Sequence, residues 1–99
     1  MKPFKIEVQQ QDILKGARQD CNLCPVARAI ARKFPDAGIV GVTPGRAHLR
    51  FRLPDETIFF SAKLPRSATR FIRAFDEGIK HVVPFNFMLN LQHENNYGA

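Results

Sequence analysis

Hydrophobic and polar positions alternate with period two at the start of the chain, Phe4, Ile6 and Val8 falling between Lys5 and Glu7. Successive strand side chains point to opposite faces, so this pattern predicts a strand with one buried side. The period then changes. Gln10 to Lys15 suits a short helical turn ended by Gly16, and Arg18 to Leu23 reads as a loop. Pro25 suits the first position of a helix, where a missing N–H costs nothing. The spacing of Val26, Ala27, Ile30, Ala31 and Phe34 predicts a helix over about 25–34, with Arg28, Arg32 and Lys33 outward.

Beyond Pro35-Asp36, two turn signals divide the chain into three strand-like runs. Thr43-Pro44-Gly45-Arg46 suits a type II turn, with glycine where φ must be positive, and pairs Val42 with Ala47 and Val40 with Leu49. A second turn centred on Asp55-Glu56 pairs Leu53 with Ile58, Phe51 with Phe60 and Leu49 with Ala62. Both registers bury the same face, and a slip of one residue would invert it. Leu64-Pro65 then opens a second long helix, with Ala68, Phe71, Ile72, Phe75 and Ile79 as its core stripe and Gly78 as its end. The last strand is Val83 to Leu89, with Val83, Phe85, Phe87 and Leu89 inward; Pro84, which cannot donate to a ladder, places it at an edge or marks its start.

These elements predict an α+β fold, a mainly antiparallel sheet of about five strands with two main helices packed on one face, in the order β-α-α-β-β-β-α-β. Residues 1–90 read as a single domain and 91–99 as a polar tail that frays. Ninety-nine residues supply one core and not two, and 44% hydrophobic residues with nine Phe make a globular composition. Fifteen basic against nine acidic side chains give a formal net charge of +6, which favours an anionic partner such as nucleic acid, an acidic protein surface or a phosphate-bearing ligand. No apolar run approaches the length of about 20 residues needed to cross a bilayer, and the opening residues lack a signal pattern. The expected setting is therefore the cytoplasm, away from membranes, with both cysteines reduced.

Candidate chemistry follows from the predicted registers. The sheet face turned away from the helices displays Arg46, His48, Arg50 and Arg52 beside Phe59, Ser61 and Lys63, with Arg52 across from Phe59. Cations interleaved with an exposed ring suit single-stranded nucleic acid, since guanidinium neutralises phosphate while the ring stacks on a base. The alternative is a solvated face whose arginines pair with Glu7 and lie over Phe59. Exposed Ile39 and Phe59 also fit a protein partner, or a homodimer that buries them against their symmetry mates. Arg66, Arg70 and Arg73 form a second basic face on the later helix.

Cys21 and Cys24 stand in a CxxC spacing before the first long helix. A zinc site needs more ligands, and His48, His81 and His93 are scattered, which leaves a half-site shared across a dimer, a thiolate activated by the helix N-terminus, or two structural cysteines. There is no glycine-rich phosphate loop, GxSxG or HExxH, and the carboxylates sit mostly at turns and helix ends. The leading reading is non-enzymatic, with a catalytic set assembled from residues distant in sequence as the open alternative, and no cofactor is expected.

The string Gly16-x-Arg18-x-Asp20-Cys21-x-x-Cys24-Pro25-Val26-Ala27-x-Ala29, with Pro84-Phe85-Asn86-Phe87 near the end, resembles a pattern in small bacteriophage and bacterial proteins that share no assigned function. The resemblance implies a phage or prophage setting and a host cytoplasm, and carries over no site residues. The leading expectation is a binding module that grips a polyanion, nucleic acid first, with its Arg-rich sheet face. The alternatives are a phage-borne inhibitor or adaptor acting on a host defence protein, and a CxxC-dependent metal or thiol protein.

Overall fold

The period-two stretch at the start of the chain folds as β1 (Phe4–Val8), with Ile6 and Val8 buried. A computed structural model describes residues 3–78 and 81–94. After β1 come α1 (Gln10–Lys15) and α2 (Pro25–Lys33), then β2 (Ile39–Val42), β3 (Arg46–Arg52) and β4 (Thr57–Lys63). The chain continues through α3 (Arg66–Asp76), β5 (Phe85–Leu89) and β6 (Gln92–His93). Pro25 starts α2, and Gly78, at φ +82°, follows the end of α3 in the left-handed conformation that glycine adopts without a Cβ clash. The predicted Ile79 lies outside the described residues.

The fold is α+β, with its strands in two antiparallel sheets and not in one. β1 pairs with β5 as a two-stranded ribbon, while β2, β3, β4 and β6 form a four-stranded sheet in that order. Both contribute to one core. Ile6, Val8, Phe87 and Leu89 of the ribbon join Val40, Val42, Ala47, Leu49 and Ala62 of the larger sheet around Val26, Ala27 and Ile30 of α2 and Ala68, Phe71 and Ile72 of α3. Among the described residues no helix is long and apolar enough to cross a membrane.

Several local expectations give way to tertiary packing. The first hairpin has the predicted register, Val40 opposite Leu49 and Val42 opposite Ala47. Its turn is not type II, because Gly45 has no positive φ; the Thr43 N–H donates to the Arg46 carbonyl at 2.9 Å. The second hairpin is offset by two residues from the expected register, with Phe51 opposite Ile58, Leu49 opposite Phe60 and Ala47 opposite Ala62. Pro54-Asp55 takes the centre of that turn, and the Leu53 N–H donates to the Glu56 carbonyl at 2.8 Å. Proline is favoured at the second turn position, and an offset of two leaves every side chain on its predicted face.

On α2, Ala29 is buried and Ala31 exposed, the reverse of a single-stripe reading. The helix packs against β1, β2, α1 and α3, so its buried arc is wider than one stripe. Val83, expected inward, is 64% exposed and precedes the strand. The polar stretch from residue 91 does not begin by fraying: Leu91 is buried and Gln92–His93 pair with β4. Residues 95–99 of the expected tail lie outside the described residues.

Candidate nucleic-acid interface

Strand alternation puts Ala47, Leu49 and Phe51 of β3 on the core side, so Arg46, His48, Arg50 and Arg52 take the other side. On β4 the same rule turns Phe59, Ser61 and Lys63 outward. Directly opposed residues of an antiparallel pair share a face, so the registers lay out this surface in rows. One row is Ile39, Arg50 and Phe59. The next is Gly41, His48, Ser61 and Gln92, and a third places Arg46 opposite Lys63. Arg52 lies opposite Thr57 and not Phe59, a consequence of the two-residue offset; the cation beside Phe59 is Arg50.

Phe59 is 43% exposed and Ile39 42%, so both ends of the Arg50 row present apolar surface to solvent. The Arg50 Nε is covered and has no hydrogen-bond acceptor among the described residues. Ser61, expected to be displayed on this face, is buried, and Arg46 donates to its hydroxyl at 3.1 Å. Among the described residues no carboxylate lies within ion-pair distance of Arg46, Arg50, Arg52 or Lys63. The expected alternative partner, Glu7, sits in the other sheet and faces Lys5 at 3.9 Å. The acid that does reach this face is Glu94, which the sequence reading missed. Its N–H donates to the Phe59 carbonyl at 2.9 Å and its carboxylate stands 3.7 Å from His48 Nδ1.

Arg66, Arg70 and Arg73 are brought together with Lys63, but not on the sheet face. These four cations line an open groove of about 770 Å³, whose wall also includes Gly45, Met88 and Asn90. Lys63, at the end of β4, therefore belongs to both surfaces. The four-and-three spacing of the arginines was legible as one helix face; their meeting with β5 was not.

The CxxC pair is split by its surroundings. Cys21 is exposed, while Cys24 is buried and caps α2, its sulfur accepting from the Ala27 N–H at 3.4 Å. Burial pushes the Cys24 thiol above its ordinary value, Asp76 and Asp20 push the same way, and the Ala27 and Val26 amides do not offset them. A thiol held protonated is a poor nucleophile and a poor metal ligand. No group of three metal-ligating side chains occurs among the described residues.

Two further arginines, expected outward, turn to a buried carboxylate. Asp12 accepts from Arg32 through both oxygens at 2.7 Å and from the Gln9 N–H at 2.8 Å, with Arg28 Nε at 3.7 Å. Their charge is therefore used within the fold and is not free for a ligand. Compared with protein-family models, with curated proteins and with solved structures, the chain shows no match.

Proposed function

We propose that the protein is a non-enzymatic binding module that holds single-stranded nucleic acid across the outer face of β2, β3 and β4. One observation carries this reading: Arg46, Arg50, Arg52 and Lys63 share that face with exposed Phe59, and none has a carboxylate partner among the described residues. Cations that no carboxylate pairs attract polyanions even with Glu94 on the same face beside His48, and bound phosphates displace condensed counterions. A base stacked on Phe59 contributes about 1–3 kcal/mol, with the Arg50 guanidinium beside it for the adjoining phosphate. Because stacking accepts any base, the module discriminates little among sequences.

Fluorescence anisotropy with a short labelled oligonucleotide tests this. Each phosphate contacted contributes about −0.7 to the slope of log K against log salt, so engagement of four cations gives a slope of about −3. Combined Arg50→Glu and Arg52→Glu substitution abolishes binding, whereas Phe59→Ala weakens it by about 1–3 kcal/mol and leaves the salt slope in place. No binding at low salt, or binding indifferent to the double substitution, rejects the proposal.

The apolar ends of the Arg50 row favour a second reading, an inhibitor or adaptor of phage origin that uses the same face on an acidic host protein in the host cytoplasm. In that case a pull-down from bacterial lysate retains one protein through moderate salt, and the nucleic-acid titration is flat.

A further inference from the structure

The groove between the end of β4, α3 and β5 holds four cations and no acid in its wall: Lys63, Arg66, Arg70 and Arg73 line it. Residues 66, 70 and 73 recur at four and three positions and so stand over one stripe of the helix. Like charges at this spacing repel one another in the free protein. An anion of high charge density answers several of them at once within one concavity. We propose that this groove binds a compact polyphosphate, two or more adjacent phosphate groups as carried by a nucleoside triphosphate or by the 5′-triphosphate end of an RNA strand, through Arg66, Arg70 and Arg73, which the sheet face does not share, with Lys63 common to both surfaces.

Guanidinium forks match phosphate oxygens bidentately, which lysine alone does not. The wall that presents them is fixed. Thr69 Oγ1 donates to the Pro44 carbonyl, and the Leu64 N–H donates to the Gly45 carbonyl at 3.0 Å, which ties α3 and the chain entering it to the turn between β2 and β3. Met88, 52% exposed at the groove, offers a soft apolar surface for a base, and Asn90 adds a neutral amide.

Gly45 makes a clean probe. A Cβ built there meets no atom within 4 Å, and its backbone lies outside the left-handed region. Gly45→Asp therefore adds a carboxylate beside the groove with no clash at Cβ, and Arg70→Ala with Arg73→Ala removes exposed cations from a solvated helix face. Calorimetric titration of tripolyphosphate, ATP and inorganic phosphate is run on the parent and both variants, with circular dichroism to verify folding. Tripolyphosphate and ATP are expected to bind at least about tenfold more tightly than inorganic phosphate, and to lose about tenfold or more in each variant. Arg50→Glu with Arg52→Glu leaves these values unchanged, so loss of strand binding and loss of polyphosphate binding are read separately. Preference for a 5′-triphosphorylated over a 5′-hydroxyl oligonucleotide, abolished by Gly45→Asp, identifies a strand end as the source; ATP binding without that preference identifies free nucleotide. Equal affinity for phosphate and tripolyphosphate, or tripolyphosphate affinity that survives both variants, overturns the proposal.

Discussion

Asp12 is fully buried, and a carboxylate in that position is retained only when its charge is answered. Burial raises its pKa, but the two-oxygen bond from Arg32, the Gln9 amide and the nearby Arg28 together outweigh it and hold the carboxyl below its ordinary 3.8. A carboxyl whose pKa is depressed by folding stabilises the native state above its unfolded value, and that contribution disappears as pH falls through 3.8 and then through the lower folded value. Asp12→Asn should cost about 2–4 kcal/mol at neutral pH, because it leaves Arg28 and Arg32 facing a neutral group. Urea unfolding followed from pH 7 downwards should show the gap between parent and variant narrowing below about pH 4, and a gap independent of pH would refute this account. Gly16, which resembled a simple helix stop, has a second constraint: a Cβ there would lie 2.7 Å from the Asp12 carbonyl oxygen and 2.7 Å from Cδ of Pro25. Close approach, and not backbone conformation, requires glycine. Cys24 illustrates the same dependence on surroundings. In the folded protein a thiol-specific reagent at neutral pH should titrate Cys21 alone, with Cys24 reacting only on unfolding. Rapid reaction of both thiols would return the CxxC pair to consideration as a functional site.

At the scale of elements, the hairpins show which sequence signals survive folding. Alternation along β3 and β4 assigned each side chain to a face, and the burial found follows that assignment except at Ser61, which is buried on the outer face. The partner of each residue depended instead on where the second turn is centred, and Pro54 moves that centre by one residue, which displaces the register by two. The arginine beside Phe59 changes as a result from Arg52 to Arg50, so the candidate surface is retained while its internal order differs. β6 was hidden for another reason. Two residues carry no periodicity, and the strand exists because Leu91 fills a core position and the free edge of β4 offers unpaired backbone groups. Deleting 91–99 should lower stability by about 1.5–3 kcal/mol, the worth of burying one leucine, and should leave β4 as an exposed edge. Thermal melts together with light scattering read both effects; an unchanged melt with no association would show that this segment contributes nothing to the fold.

Across the whole molecule, eight of the nine arginines fall into three settings that composition alone cannot separate. Arg28 and Arg32 are committed to a buried carboxylate, Arg46, Arg50 and Arg52 are spread over an open sheet face, and Arg66, Arg70 and Arg73 meet Lys63 in a groove. The net charge of +6 is the same whichever arrangement holds. Periodicity, turn residues and capping positions are local, and from them the chain order, the α+β class, both long helices and the inward faces of the central strands could be read without a structure. The division into a β1–β5 ribbon and a separate four-stranded sheet could not, because pairing between strands some eighty residues apart leaves no trace in either strand's own pattern. The same holds for the acid that neutralises Arg32, twenty positions away, and for the convergence of α3 with the end of β4 and with β5. Hydrophobic burial requires only that each apolar face be covered, and several arrangements satisfy it; shape and charge complementarity between distant segments select one of them. Local spacing thus determined what each element presents, and tertiary packing decided what each presented group meets.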